Sequence, residues 1–283
     1  MSPLSYIVSM SMYVLFLFLF LEYTREKQKF YFWFFLLALA SIPLWFINLT
    51  SWFRWAKTIS VLLPICFVSF VRYANNGQHK DYMPFLKKKW PLWVFYFIVA
   101  LNIAEATMGD FEIGNYFNAI SGVLLIITMP LPTKERWYMA KYDGKNNFGE
   151  LIAEIPLAWC LLYVTWNAAF VYAENTMFFA SSLCILVVCE LWMLIKKRTD
   201  LWLMARIYTL AIHILIRASY DIFTPVMGST SWFSEGVLYY WGLINVILHG
   251  AYFIYWFVKL RNKSYEMKHT AKAYGFKEVS VSG

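Results

Sequence analysis

Apolar runs of about 20 residues, separated by short polar links, repeat along almost the whole chain. A run of that length matches the hydrocarbon thickness of a bilayer when wound as an α-helix. Nine such spans can be drawn, at roughly 3–21, 30–49, 58–73, 91–108, 115–131, 151–172, 176–195, 201–220 and 236–258. They predict an all-α fold, a polytopic transmembrane helix bundle forming a single domain over residues 1–261. A polar tail follows over 262–283. The first span has no basic residue before it and no A-x-A-like site after it, so it reads as a retained anchor. The span at 115–131 is the weakest. It is short, contains Gly122 and ends at Pro130 and Pro132, so it could be re-entrant rather than crossing.

The eighth run, Asp200 to Asp221, departs from the rest. It is apolar overall yet carries Arg206, Thr209, His213, Arg217 and Asp221 at steps of three, four, four and four residues. That repeat places the side chains on one helical face. A charged face turned to lipid costs roughly 3 kcal/mol per ionised group, so neighbouring helices are expected to cover it.

Composition fixes the class. Of 283 residues, 60% are hydrophobic and only 15% charged, against about 25% charged in an ordinary soluble domain. The net charge of +8 does not point to nucleic acid, because the basic residues are confined to alternate links. The segments after spans one, three, five and seven, with the tail, hold 21 of the 25 Lys and Arg, counting Arg72 in the last turn of span three. The other side holds Arg54 and Lys57, and span eight holds Arg206 and Arg217. This asymmetry predicts an outward N-terminus and a cytoplasmic C-terminus. Tryptophans near span ends, among them Trp93, Trp159, Trp192, Trp232 and Trp256, fit interfacial belts. Cys66, Cys160, Cys184 and Cys189 all fall within apolar runs without redox or metal spacing, and read as small packing residues.

With orientation assumed, depth follows at about 1.5 Å per residue. Asn102 and Glu105 share a face of span four; Trp166, Asn167 and Glu174 lie toward the end of span six; His213, Arg217 and Asp221 reach the same level on span eight. Spans five and nine bring Asn118 and Ser121, then Asn245 and His249, to comparable depth. These residues are expected to wall one outward-facing polar cavity, with Glu105 paired to Arg217. Singly, Asn118, Ser121 and Asn245 also fit interhelical glue, worth roughly 0.6 kcal/mol each. A second cluster on the basic side, Arg206 with Glu154 or Glu190, reads as an inner gate or as structure. No spacing of His, Asp or Glu supports a metal, and no nucleophile–base pair marks a catalytic residue. The pentapeptides AEATM (Ala104–Met108) and AENTM (Ala173–Met177) echo one another at the ends of spans four and six.

LNIAEATMGDF (Leu101 to Phe111), WNAAFVY (Trp166 to Tyr172) and RIYTLAI (Arg206 to Ile212) together resemble an uncharacterised family of multi-pass bacterial membrane proteins, a domain of unknown function. The resemblance covers residues 90 to 260 and implies a bacterial cytoplasmic membrane. It draws attention to Asn102, Glu105, Trp166, Asn167 and Arg206 and supplies no activity or cofactor. The aromatic content invites comparison with microbial rhodopsins, but no lysine lies within any of the drawn spans to form a retinal Schiff base.

Three functions remain. A transporter or channel-like protein for a small solute or cation leads, on the strength of the outward cavity with its acidic rim. A membrane-embedded sensor or accessory subunit comes next, contacting a protein partner through its cytoplasmic loops or tail. A lipid-modifying enzyme using Glu105, Glu174, Asp221, His213 and His249 in acid–base roles is the third.

Overall fold

A computed structural model describes residues 2–27, 30–50, 52–75, 83–133, 136–140 and 149–261. The tail over 262–283 and parts of the two long basic links, 76–82, 134–135 and 141–148, lie outside the described residues. Nine long helices account for almost all the rest: α1 (Pro3–Glu26), α2 (Phe30–Asn48), α3 (Trp52–Asn75), α4 (Trp90–Glu112), α5 (Tyr116–Thr128), α6 (Leu157–Glu174), α7 (Phe179–Lys196), α8 (Trp202–Ser219) and, after the single turn α9 (Thr224–Met227), α10 (Glu235–Arg261). Six of them, α1, α3, α4, α7, α8 and α10, are long and apolar enough to cross a membrane. α2 and α5 are apolar but shorter.

Local sequence explains several boundaries. Ser2 caps α1 by accepting a hydrogen bond from the Ser5 amide at 3.2 Å, with Pro3 in the first turn where its missing N–H costs nothing. Pro91 starts α4 in the same way. Pro156 delays α6, because the residue before a proline is disfavoured in the helical region. Residues 151–153, expected as the start of span six, instead form a strand. β1 (Trp137–Met139) and β2 (Leu151–Ala153) pair antiparallel, Trp137 opposite Ala153 and Met139 opposite Leu151. All six residues are buried, with β2 packed against α8. Glu154 therefore follows a strand rather than lying one turn into a helix.

The helices α6, α7 and α8 form the centre. α1, α2 and α3 pack against one side of this group, and α4, α5 and α10 against the other. α8 is the most buried of the six long apolar helices, with 72% of its window enclosed against 17% for α10. Arg206, Thr209 and His213 are all buried, so the polar stripe faces the interior. The outer helices present large apolar side chains instead: Leu4, Met12 and Leu15 on α1, Phe46 and Ile47 on α2, Ile247, Ile254 and Phe257 on α10. A continuous apolar exterior of this extent suits lipid rather than water. Trp159, Trp166, Trp192 and Trp202 are fully enclosed, so these aromatics are core and not belt. Cys160, Cys184 and Cys189 are buried free thiols, and Cys66 is half-buried.

At the end where α1 and α3 finish and α8 begins, a charged clasp is sealed inside. Arg72, 1% exposed, donates to the carbonyls of Thr24 (3.0 Å), Arg25 (2.9 Å) and Gly149 (3.3 Å) and to the Tyr208 hydroxyl (2.7 Å). Thr24 and Arg25 lie in the last turn of α1, whose carbonyls have no intrahelical partner and whose dipole favours a cation. Arg198 forks onto Asp200 at 2.6–3.1 Å and lies 3.7 Å from Glu150, which also pairs with Arg25. Burial alone would lower the Arg198 pKa; hydrogen bonding to Asp200 and the charges of Asp200 and Glu150 more than offset it, and the value rises. Gly149 adopts φ +61°, and a Cβ there would fall 2.5 Å from the Arg72 carbonyl oxygen, so glycine permits this closure.

Candidate functional site

The polar faces of α4, α6 and α8 open onto one cavity of about 800 Å³. α4 contributes Asn102 and Glu105, spaced to share a face. α6 contributes Tyr163, Asn167 and Glu174; α8 contributes Arg206, His213 and Arg217, with Asp221 just beyond its end. On α6 the lining runs from Tyr163 to Asn175, about 18 Å at the helical rise. The cavity is therefore deep, with its exposed charged groups toward the ends of α6 and α8 and at Glu105, two turns before the end of α4. Its walls between the polar groups are apolar, among them Phe95, Ile98, Phe170, Leu203 and Leu210.

α2, α3 and α7 complete the lining, and α3 adds two cations, Arg54 and Lys57. Lys57 lies 3.5 Å from Glu105 and 3.8 Å from Glu174. The two glutamates hold matching places in AEATM and AENTM, and one ammonium serves both. The expected Glu105–Arg217 pair is thus corrected: Glu105 pairs with Lys57. Arg217 instead places its guanidinium carbon 3.9 Å above the centre of the Phe178 ring, a cation–π contact. The signal for Lys57 and Arg54 was present in the sequence, since they are the two basic residues that break the charge asymmetry. α3 also begins earlier than span three, so Lys57 lies within a candidate spanning helix. The statement that no lysine lies within a span is corrected accordingly.

Deeper in the cavity, Arg206 is 8% exposed. Its Nε donates to the Tyr163 hydroxyl and its Nη2 to Asn167 Oδ1, both at 3.4 Å, and its Nη1 has no hydrogen-bond partner. The expectation of a separate inner cluster is corrected in two respects. Arg206 belongs to the same cavity as Glu105, and neither Glu154 nor Glu190 forms an ion pair with it. Glu190 Oε1 accepts from Trp202 Nε1 at 2.7 Å. His213, 1% exposed, shares a 3.0 Å hydrogen bond between Nδ1 and the Tyr13 hydroxyl; its Nε2 has no partner. Asp221 Oδ1 accepts from the amides of Phe223 (3.2 Å) and Thr224 (3.0 Å), so part of its charge turns the chain into α9.

Asn118, Trp166, Asn245 and His249 do not line this cavity. They belong to a separate buried network joining α4, α5, α6 and α10. Asn118 Nδ2 donates to Asp110 Oδ2 (2.7 Å) and to the Trp166 carbonyl (3.2 Å), while its Oδ1 accepts from Asn245 (2.8 Å). Asn245 Oδ1 in turn accepts from the Thr165 hydroxyl at 2.8 Å. Asn115 donates to Asp110 Oδ1 at 2.8 Å. His249 Nδ1 bonds the Asn245 carbonyl one turn earlier at 2.7 Å, and the Ser121 hydroxyl likewise donates to Phe117 O at 2.9 Å. Asp110, fully enclosed, falls just past the end of the span drawn at 91–108. It lies within α4 and holds this network together.

Four cationic and three acidic side chains therefore line the cavity, with His213. Among the described residues no carboxylate oxygen lies within 4.0 Å of the Arg206 or Arg217 guanidinium. No group of three or more His, Cys, Asp or Glu able to hold a metal occurs among the described residues. No family model, curated protein or solved structure matches the chain.

Proposed function

We propose that the chain is a multi-pass membrane protein that takes a small charged or zwitterionic solute into the cavity between α4, α6 and α8 and passes it across the bilayer. One observation carries the reading: polar faces of three apolar helices meet in a single deep cavity, where Arg206 makes only two long hydrogen bonds, to Tyr163 and Asn167 at 3.4 Å, and leaves Nη1 without one. Intramembrane ionisable groups are costly and mark solute or ion paths far more often than they serve as stabilisers. The charge asymmetry of the links supports an outward mouth, at the end bearing Lys57, Glu105 and Glu174. A bare cation is the less favoured cargo, because Arg54, Lys57 and Arg217 stand beside the acids.

The test is uptake of radiolabelled leucine and benzoate into proteoliposomes. Asn167→Leu places bulk midway down the cavity and is expected to reduce uptake at least tenfold. Flux of both probes equal to that of protein-free liposomes would refute translocation.

A sensor reading is favoured by the clasp of Arg72, Arg198, Glu150 and Asp200. Those buried bonds close the basic end, as suits a protein that binds its ligand without releasing it inward. Binding of a probe with no flux is the outcome that would select it.

A further inference from the structure

The polar atoms along α8 are not evenly served. Arg206 is more than nine-tenths buried, carries a permanent charge, and is held by two long hydrogen bonds at 3.4 Å and by the Tyr163 ring, whose centre lies 5.7 Å from the guanidinium carbon. A buried guanidinium without a carboxylate is a costly arrangement unless an anion answers it. Seven residues along the same face, His213 offers Nε2 without a partner; when the Tyr13 hydroxyl donates to Nδ1, Nε2 carries the proton and becomes a second donor. Around Arg206 the lining is aromatic and aliphatic, with Phe95, Trp202 and Leu203 nearby in the lining. The glutamates, by contrast, stand at the mouth, 42–46% exposed, and share Lys57.

We infer that the cavity is a site for an organic carboxylate with an apolar body, bound with its anionic end on Arg206. A carboxylate matches the guanidinium fork, receiving Nη1 and strengthening the charge held there. The apolar body then lies along the hydrophobic walls toward the mouth. Arg217, over Phe178, provides an intermediate cation for the anion on its way in. This inference rests on the cavity being a ligand site, but not on translocation.

Two sources supply that chemistry, and both can be tested on the purified full-length protein in nanodiscs. Dodecanoate represents an acid drawn from the bilayer and benzoate one drawn from water; dodecanol and benzyl alcohol are their uncharged counterparts. Binding is read from tryptophan fluorescence, Trp202 being part of the lining, and by calorimetry. At least one acid is expected to bind ten or more times more tightly than its alcohol, and which acid does so identifies the source. Arg206→Gln should remove that preference, while Arg206→Lys should weaken the acid less. Glu112→Gln, exposed at the end of α4 and outside the lining, should leave it within about twofold.

Equal binding of acid and alcohol by the wild-type protein overturns the inference without requiring any variant to fold. So does acid preference that survives Arg206→Gln. Acid binding that depends on Arg206, with no uptake of benzoate or leucine, supports the carboxylate site and refutes translocation. Leucine uptake by a protein that binds neither acid does the reverse.

Discussion

Arg72 provides the sharpest test of what holds the basic end closed. Its guanidinium donates to two carbonyls of the last turn of α1, to the Gly149 carbonyl and to the Tyr208 hydroxyl, all between 2.7 and 3.3 Å. Arg72→Met preserves most of the stem's packing and removes all four bonds. Hydrogen bonds to a charged group contribute about 1.5–3 kcal/mol each in isolation, but desolvation of the guanidinium offsets much of the sum. What remains is the cost of leaving the carbonyls of Thr24, Arg25 and Gly149 enclosed without a donor, at about 1–3 kcal/mol for each that cannot relax. A loss of about 3–5 kcal/mol follows, in line with removal of one partner from a buried charged cluster. Denaturant unfolding of the purified protein, followed by tryptophan fluorescence, measures it. Arg72→Lys keeps the charge but cannot reach three carbonyls at once, so its loss should fall between wild type and Arg72→Met. A change below about 1 kcal/mol for Arg72→Met would mean that the cation is not closing α1, and the account of this end would fail.

Lys57→Met should behave oppositely at the other end. The lysine pairs at 3.5 and 3.8 Å and is 38% exposed, a range in which ion pairs contribute about 0–1 kcal/mol; its unfolding midpoint should barely move, while probe affinity changes. Asn118→Ala should lower stability by about 2–3 kcal/mol, because Asp110, Asn245 and the Trp166 carbonyl lose a partner together; a loss under 0.5 kcal/mol, taken here as roughly the scatter of surface substitutions, counts against the network. Gly122→Ala puts a methyl 2.1 Å from the Thr107 hydroxyl and 2.9 Å from Trp166 Nε1, an overpacking expected to cost about 1–3 kcal/mol. Adding Thr107→Ala should recover most of that loss, and failure to recover it would place the strain elsewhere.

Periodicity reveals which residues share a face, and that was legible here. The steps from His213 to Arg217 and Asp221, from Asn102 to Glu105 and from Asn167 to Glu174 brought seven expected residues to one cavity, and Arg206, expected in a separate cluster, joins them there. Depth alone does not give the angle at which one helix meets another. Asn118, Asn245 and His249 were matched to the cavity by depth, yet α5 and α10 stand against α6 on the side away from α8. The same gap explains why Glu105 was paired with Arg217 instead of Lys57. Asp110 was misplaced because the apolar run ends at Met108 while the helix continues to Glu112; hydropathy marks the lipid-facing length, not the hydrogen-bonded one. The strand at Leu151 was hidden by apolar residues continuous with α6, although Pro156 marked the break.

The two polar systems differ in a way that bears on function. In the Asp110 network nearly every donor meets an acceptor, and the atoms without partners, Trp166 Nε1 and His249 Nε2, belong to groups whose neutral forms carry little penalty beyond one missing bond. In the cavity the unserved atoms are His213 Nε2 and Nη1 of a permanent cation, Arg206. An unpaired neutral donor is tolerable in a packed interior, whereas an unpaired guanidinium demands either water or an anion. The charged clasp shows that this chain can answer buried arginines fully when structure alone is at stake: Arg72 has four partners, and Arg198 has two carboxylates. Arg206, of the same residue type and similarly enclosed, has neither. The difference supports the ligand role proposed for Arg206 and an architectural one for Arg72.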